Sequence, residues 1–260
     1  MSRPAIFITG AAAGIGRATA LRFAAGGWFV GVYDVDTQGL DSLLREIPQG
    51  QAIAATLDVR DAHVFGAALA AFFDAAGGRL DLLFNNAGLL ATGDFESIAL
   101  ARHQALVDVN LKGVINGCAL ALPFLQRTPQ SAVINMCSAS AIYGTPAFAS
   151  YSATKFAVKG FTEALDIEWA RHGIRVMDLL PLFVATPMLA QIGEAPASVG
   201  RLGVRLSADD IAGAVWRAAH WRGRRRVHWY PGLQSRALAV LQKLAPAGLN
   251  RLVTRLAASY

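Results

Sequence analysis

Cysteine is scarce in this chain and acid is missing from its last fifth. Cys118 and Cys137 are the only cysteines in 260 residues. Neither stands at a metal or redox spacing, which argues against a disulfide framework and a thiolate metal site. Two reduced, buried thiols in a cytoplasmic protein are the expectation. His63, His103, His172, His220 and His228 pair with no acid or cysteine at a ligand spacing, so no metal is expected. No run of 18 or more truly apolar residues occurs, although 54% of the chain is hydrophobic. The longest uncharged stretch, 128–154, is full of Ser, Thr, Asn, Pro and Gly, so no spanning helix is expected. No basic–apolar–small signal pattern precedes the first strand-like segment. Internal repeats and low-complexity linkers are also lacking.

Charge is uneven. Residues 1–210 carry 15 basic and all 18 acidic side chains, whereas residues 211–260 carry nine basic and none acidic. The C-terminal stretch therefore attracts anions while the body does not.

What is present is a regular alternation. Strand-like runs at 5–9, 28–33, 51–57, 80–85, 132–136, 174–180 and 224–230 are separated by helix-like segments. Helices are predicted over 16–25, 40–46, 62–76, 97–126 (two stretches), 152–172 and 211–221. Such alternation predicts an α/β fold: a Rossmann-type, doubly wound parallel sheet with helices on both faces, one domain over 1–232. Apolar residues then recur at helical spacing over 233–260, with Pro246 dividing two amphipathic helices. This extension is expected to pack on the domain or at an interface. The Gly, Pro and Ser content of 193–203 breaks the pattern, and a lid over about 187–206 competes with an ordinary surface loop.

Two constellations carry chemistry. The first is Thr9-Gly10-Ala-Ala-Ala-Gly14-Ile-Gly16, between a strand and a helix. Gly10 allows the turn, Gly14 lets the backbone approach a pyrophosphate, and Gly16 lets the helix pack on the sheet. The helix N-terminus favours the anion. Such a cluster also serves as a plain turn, but its strand–helix context favours a dinucleotide. Asp34 ends the second strand, where a carboxylate accepts from ribose hydroxyls and repels a 2′-phosphate. NAD is expected over NADP, the alternative being that Asp34 caps the next turn while Asp36 makes the contact. The second constellation is Ser138, Tyr151 and Lys155. A phenol and an ammonium at i and i+4 share a helix face. The nearby cation is expected to lower the phenol's pKa and yield a usable proton donor and acceptor.

With these motifs in order, together with Asn85-Asn86-Ala87-Gly88 and Asn110, residues 5 to about 190 resemble the short-chain dehydrogenase/reductase family, in its single-domain, NAD-preferring branch. The resemblance implies catalytic roles for Ser138, Tyr151, Lys155 and Asn110, the last kinking a helix and holding a water beside the lysine. It implies cofactor contacts from Gly10, Ala13, Gly14, Ile15, Gly16, Asp34, Asp58, Val59, Asn85, Ala87, Gly88, Tyr151 and Lys155. Pro181, Val184 and Thr186 would seat the nicotinamide amide. Two departures stand out: Leu182 follows Pro181 where the family usually has glycine, and two helices replace the short glycine-rich ending of many fatty-acid reductases.

The expected activity is the interconversion of an alcohol and a ketone or aldehyde, with a moderately large apolar small molecule as substrate. A dinucleotide-binding sensor or scaffold without turnover is the rival from another class. A homodimer or homotetramer is implied through the segments near 100–126 and 152–172. For the basic tail, solvated charge beside packed helices competes with peripheral membrane contact through a basic amphipathic helix. Nucleic acid is not an expected partner, because no module for it is present.

Overall fold

Seven parallel strands organise the chain, and they are apolar on both faces because helices cover both. The computed structural model describes residues 3–190 and 196–259. In chain order the first half comprises β1 (Ala5–Thr9), α1 (Gly14–Ala25), β2 (Phe29–Asp34), α2 (Thr37–Leu44), β3 (Ala52–Thr56), α3 (Ala62–Ala75) and β4 (Leu82–Asn85). Then follow α4 (Leu100–Val107), α5 (Gly113–Gln126), β5 (Ala132–Met136), α6 (Ala149–Glu168) and β6 (Arg175–Leu179). The last part holds β7 (Val184–Ala185), α7 (Pro187–Ala190), α8 (Ala197–Leu202), β8 (Leu206–Ser207), α9 (Ala208–Ala219), β9 (His228–Trp229), α10 (Leu233–Leu244) and α11 (Ala247–Ala258).

The sheet order is β3-β2-β1-β4-β5-β6-β9, all parallel, and β7 pairs with β8 in a separate two-stranded piece. Strand alternation sorts β1 between two cores. Ala5 and Phe7 join α3, α5 and α6 on one face, while Ile6 and Ile8 join α1, α2 and α9 on the other. Phe7 stacks on Tyr33 with ring centroids 4.0 Å apart. Helix starts follow local capping: Asp36 accepts from Gly39 N–H, Asp61 from His63 and Val64 N–H, and Ser207 with Asp210 forms a reciprocal box.

Four expectations are modified. The run 100–126 is one 27-residue helical rod, apolar enough by composition to cross a membrane, whose inner face lies against the sheet. It passes through a π turn at Asp108–Lys112 between α4 and α5. The long helix expected to end at 172 tightens at Trp169–His172 into a 3₁₀ turn and stops at Gly173, whose φ is +70°. The expected strand 224–230 shrinks to two residues. Arg225 is drawn to Asp166 of α6 (2.6 Å) and Arg226 stacks 4.2 Å over the Trp229 ring, so the basic run leaves the ladder. The expected break at 193–203 contains α8, while residues 191–195, within the expected lid, lie outside the described residues.

An ionic cluster ties β9 to the body. His228 is hydrogen-bonded by Nδ1 to Asp178 of β6 (2.8 Å) and by Nε2 to Glu163 of α6 (2.9 Å), and Glu163 accepts from Lys159 (2.7 Å). Asp178 is fully buried, and burial raises its carboxyl despite the histidine's pull. For His228, burial works against charging, but the bond to Asp178 and its charge prevail and the imidazole sits above its usual value. Both groups hold their protons more tightly folded than unfolded, so each contributes stability that is full below its unfolded value and is lost as pH rises through its own elevated folded value. His228→Ala should cost roughly 3 kcal/mol by leaving Asp178 buried without its partner. Thermal melts of parent and variant across the neutral range should also show the parent's pH slope flattened in the variant.

Candidate active site

The C-terminal edges of the strands open on one cleft of about 660 Å³, a volume usual for small-molecule sites. It lies where the chain leaves β1 in one direction and β4 in the other, the switch point at which open α/β sheets bind ligands. Asp34 lies at one end of its wall. The turn from Gly10 to Ile15 lines the middle. Ser138, Tyr151 and Lys155 lie at the other end.

The turn is built for close approach. Gly10 and Gly14 have φ of +65° and +52°, the region glycine tolerates. A Cβ on Gly10 would come within 2.7 Å of Ala87 Cα, and one on Gly16 within 2.0 Å of the Gly10 carbonyl oxygen. Gly14 faces Thr186, whose methyl group would be 3.4 Å from an added Cβ. Helix α1 follows an N-cap, Ala13, that makes no side-chain capping bond, unlike those of α2, α3 and α9, and its first turn holds no acid. Its first N–H groups therefore suit an anionic ligand in the cleft. Asp34 steadies the turn by accepting from Ala12 N–H (3.0 Å), and its other oxygen accepts from Asp36 N–H. Asp36 itself is the cap of α2. Arg17, the cation nearest the turn in sequence, reaches away to Ser42 and Glu46. Asp58 and Val59 also line the cleft, and the Arg60 guanidinium, 2.9 Å away, holds the Asp58 carboxyl below its usual range.

At the other end, β5 and α6 bring three groups together. Lys155 is 4% exposed and donates to the Met136 carbonyl at the end of β5 (2.8 Å). Tyr151, one turn earlier, is half-buried, with its ring centroid 5.5 Å from the lysine nitrogen. Ser138 accepts from Ser140 N–H (3.1 Å), which leaves its own proton to donate into the cleft. The expected lowering of the Tyr151 pKa is not what this geometry gives. Burial pushes the phenol up to about 12, against the hydrogen bond with Ser138. Burial also pushes the Lys155 amine down. Both side chains are thereby driven toward their neutral forms.

Three placements differ from expectation. Asn85 turns away from the cleft: its amide donates to Asn135 (2.9 Å), which donates to Thr162 of α6 (3.0 Å). Strand alternation puts Asn85 on the face of Leu83, and Gly117 leaves it room, since a Cβ there would sit 2.3 Å from its oxygen. The cleft receives Asn86, whose amide donates to the Thr9 and Gly10 carbonyls (3.0 and 2.9 Å). Asn110 is fully buried in the π turn and does not line the cleft. Its amide clamps Leu89 N–H and C=O (2.7 and 2.9 Å) and reaches Thr154. It bounds Gly88 from one side, with Lys155 farther off: a Cβ there would meet Asn110 Oδ1 at 3.3 Å and Lys155 Nζ at 4.0 Å.

Ala87, Gly88, Pro181 and Val184 line the cleft. Leu182 N–H donates to Ser235 of α10 (3.0 Å), and the Leu182 side chain packs on the core that includes Ala239. The leucine in place of glycine and the additional helices are thus one feature. Thr9, whose hydroxyl accepts from Asn86 and Ala87 N–H, headed the glycine motif without being given a role of its own, and α11 lends Val253, Thr254 and Ala257 to the wall. Among the described residues no group of three or more metal-ligating side chains converges.

The family model for short chain dehydrogenases matches residues 4–197. A 3-oxoacyl-[acyl-carrier-protein] reductase of Thermotoga maritima is 34% identical over 72% of this chain and 76% of its own length. A 3beta-hydroxysteroid dehydrogenase 1 of Eggerthella lenta is 34% identical over 82% and 86%. The crystal structure of a 3-ketoacyl-(acyl-carrier-protein) reductase from Brucella melitensis complexed with NADH superposes with a TM-score of 0.78 at 30% identity, covering 87% of this chain and 96% of that one. An actinorhodin polyketide ketoreductase with NADPH gives 0.78 at 28% identity, over 88% and 95%. Asn86→Ala should open the Gly10 turn, costing about 1–3 kcal/mol. Thermal melting with and without NADH should show lower stability and a smaller shift on adding dinucleotide.

Proposed function

Because the chain belongs to the short-chain dehydrogenase family, we propose that it is an NAD-dependent oxidoreductase interconverting an alcohol and a ketone or aldehyde. The observation that carries this reading is the convergence of Ser138, Tyr151 and Lys155 at one end of a cleft whose middle is a glycine turn and whose far end is Asp34. The residues fit a dinucleotide: an uncapped helix start for the pyrophosphate, a carboxylate for the adenosine ribose, and a gap at Gly14 that a side chain would narrow against Thr186. When bound, the nicotinamide supplies the hydride chemistry.

The chain's own groups do the rest. Ser138 donates to the oxygen of the reacting carbon, where negative charge develops. Tyr151 gives that oxygen its proton in reduction and takes one in oxidation. Lys155, fixed by Met136, lies beside the phenol and would hold the ribose hydroxyls of the dinucleotide. Asn110 acts as a positioning residue through Leu89 and Thr154. Pro181, Val184 and Thr186 line the side where the nicotinamide amide would lie. The non-catalytic NAD-binding alternative gains nothing from this arrangement, since a sensor needs no hydroxyl pair beside a buried amine.

Apolar side chains such as Leu90, Phe148, Leu182, Met188, Leu202 and Val253 on the cleft wall support a moderately large apolar substrate. Asp34 and the outward turn of Arg17 support NAD over NADP. The buried thiols Cys118 and Cys137 suit a reducing compartment such as the cytoplasm. The outer faces of α4 and α6, with exposed Leu100, Val107, Phe156 and Ile167, suit a homodimer or homotetramer.

Tyr151→Phe should lower kcat by roughly 10²–10⁴-fold while NADH binding, read by fluorescence titration, changes little; retained turnover with a panel of secondary alcohols and ketones would reject the assignment. Because burial keeps the phenol protonated at neutral pH, reduction finds its acid ready and oxidation must first deprotonate it. In steady-state assays kcat/KM for alcohol oxidation should climb about tenfold per pH unit below the apparent pKa, while that for carbonyl reduction should stay level or fall. Asp34→Ala should narrow the preference for NAD over NADP; an unaltered ratio would remove Asp34 from that role.

A further inference from the structure

The C-terminal helices expose apolar surface in an ordered way. On α10, Leu233, Ala237, Val240, Leu241 and Leu244 recur at i, i+4, i+7, i+8 and i+11, all on the solvent side. Leu233 is 82% and Leu244 78% exposed. On α11, Leu249, Leu252, Val253 and Leu256 recur at i, i+3, i+4 and i+7, each about half exposed. The opposite faces meet the body through Ser235, Ala239 and Ala258. Two apolar stripes on consecutive helices mark an interaction surface rather than scattered surface residues.

The charge around the stripes says what covers them. Arg236 and Lys243 on α10, and Arg251 and Arg255 on α11, lie on the exposed side of the same helices. No carboxylate occurs anywhere in residues 211–260. A second copy meeting these two helices face to face would set cation against cation with no acid in the segment to offset it. A basic, apolar-faced helix pair instead has the composition that lies in the plane of an anionic lipid surface, leucines in the acyl boundary and cations at the headgroups.

We propose that the α10–α11 helix pair docks this protein on the surface of an anionic lipid bilayer. The apolar stripe of α11 reaches the cleft: Val253 is half exposed and lines the cavity, beside Thr254 and Ala257 of the same helix. Resting on lipid would therefore place the cavity wall against the apolar phase. On the oxidoreductase reading above, an apolar alcohol or ketone would reach the cleft from the membrane; the docking itself stands on the two C-terminal helices alone.

The test is sedimentation of the full chain with vesicles of phosphatidylcholine alone and with added phosphatidylglycerol, at low and high salt. The anionic vesicles should carry down at least roughly tenfold more protein, with the excess lost in salt. Leu241→Ser/Leu252→Ser removes apolar insertion, and Lys243→Glu/Arg251→Glu reverses charge, all at exposed positions outside the cleft wall. Each pair should lower binding at least roughly tenfold with thermal melting unchanged. Equal sedimentation with both vesicles, none with either, or indifference to both variant pairs would overturn the proposal. So would a lipid-free dimer in sedimentation velocity that the Leu→Ser pair dissociates, since it would assign the face to a second copy. None of these readouts depends on turnover, so their failure leaves the oxidoreductase reading to be judged separately.

Discussion

The hydrogen bond from the Lys155 ammonium to the Met136 carbonyl joins the end of β5 to the second turn of α6, and the site is arranged around it. An amine that is 4% exposed is costly unless its donors find acceptors, so this bond fixes where the lysine points. It fixes the helix as well, because Tyr151 and Lys155 ride on successive turns of the same helix. The polar chain beneath, from Asn85 through Asn135 to Thr162, makes the same connection a second time between β4, β5 and α6. Displacing α6 would break both at once and leave buried donors without partners, so the proton-transfer groups are held by the core itself.

The phenol's state follows from forces of opposite sign. Burial raises its pKa, and Ser138 opposes that rise. Tyr151 also lies in the first turn of α6, where the helix N-terminus favours negative charge and no acid competes. Reading Lys155 from sequence as the group that lowers this pKa ignored the amine's own burial, which weakens its hold on its proton. A buried phenol and a buried amine therefore form a pair whose charge depends on what else enters the cleft, a suitable condition for a group that must both give and accept protons.

Much of this was legible in the order of residues. Glycine spacing located the turn after β1, and apolar alternation located the strands to within a residue or two, because a parallel sheet covered on both faces must be apolar throughout. Asn85 and Asn86 show where the motif misled: two identical neighbours carry one signature, and only the parity of the strand decides which faces the cleft. The run at 224–230 failed as a long strand because Arg225 found Asp166 across the fold, a partner that no local pattern reveals. Thr9 stood at the head of the glycine motif with no role assigned, because a hydroxyl that accepts two N–H groups leaves no periodic trace.

Leu182 and the C-terminal helices looked like separate oddities in the sequence, yet Ser235 joins them in the structure. The bond to Ser235 comes from a backbone N–H that any residue but proline would supply there, and the leucine side chain adds packing on the core that includes Ala239 of α10, so the cleft wall is tied to the C-terminal helices. Any force on α10 and α11 is then felt beside the residues that line the reacting end of the cavity. These helices have few buried side chains of their own, Ser235, Ala239 and Ala258 among the described residues, so they are a weakly anchored part of that wall. A wall that is weakly anchored and outwardly apolar is where a large apolar ligand can enter without disturbing the β5–α6 frame that holds Lys155.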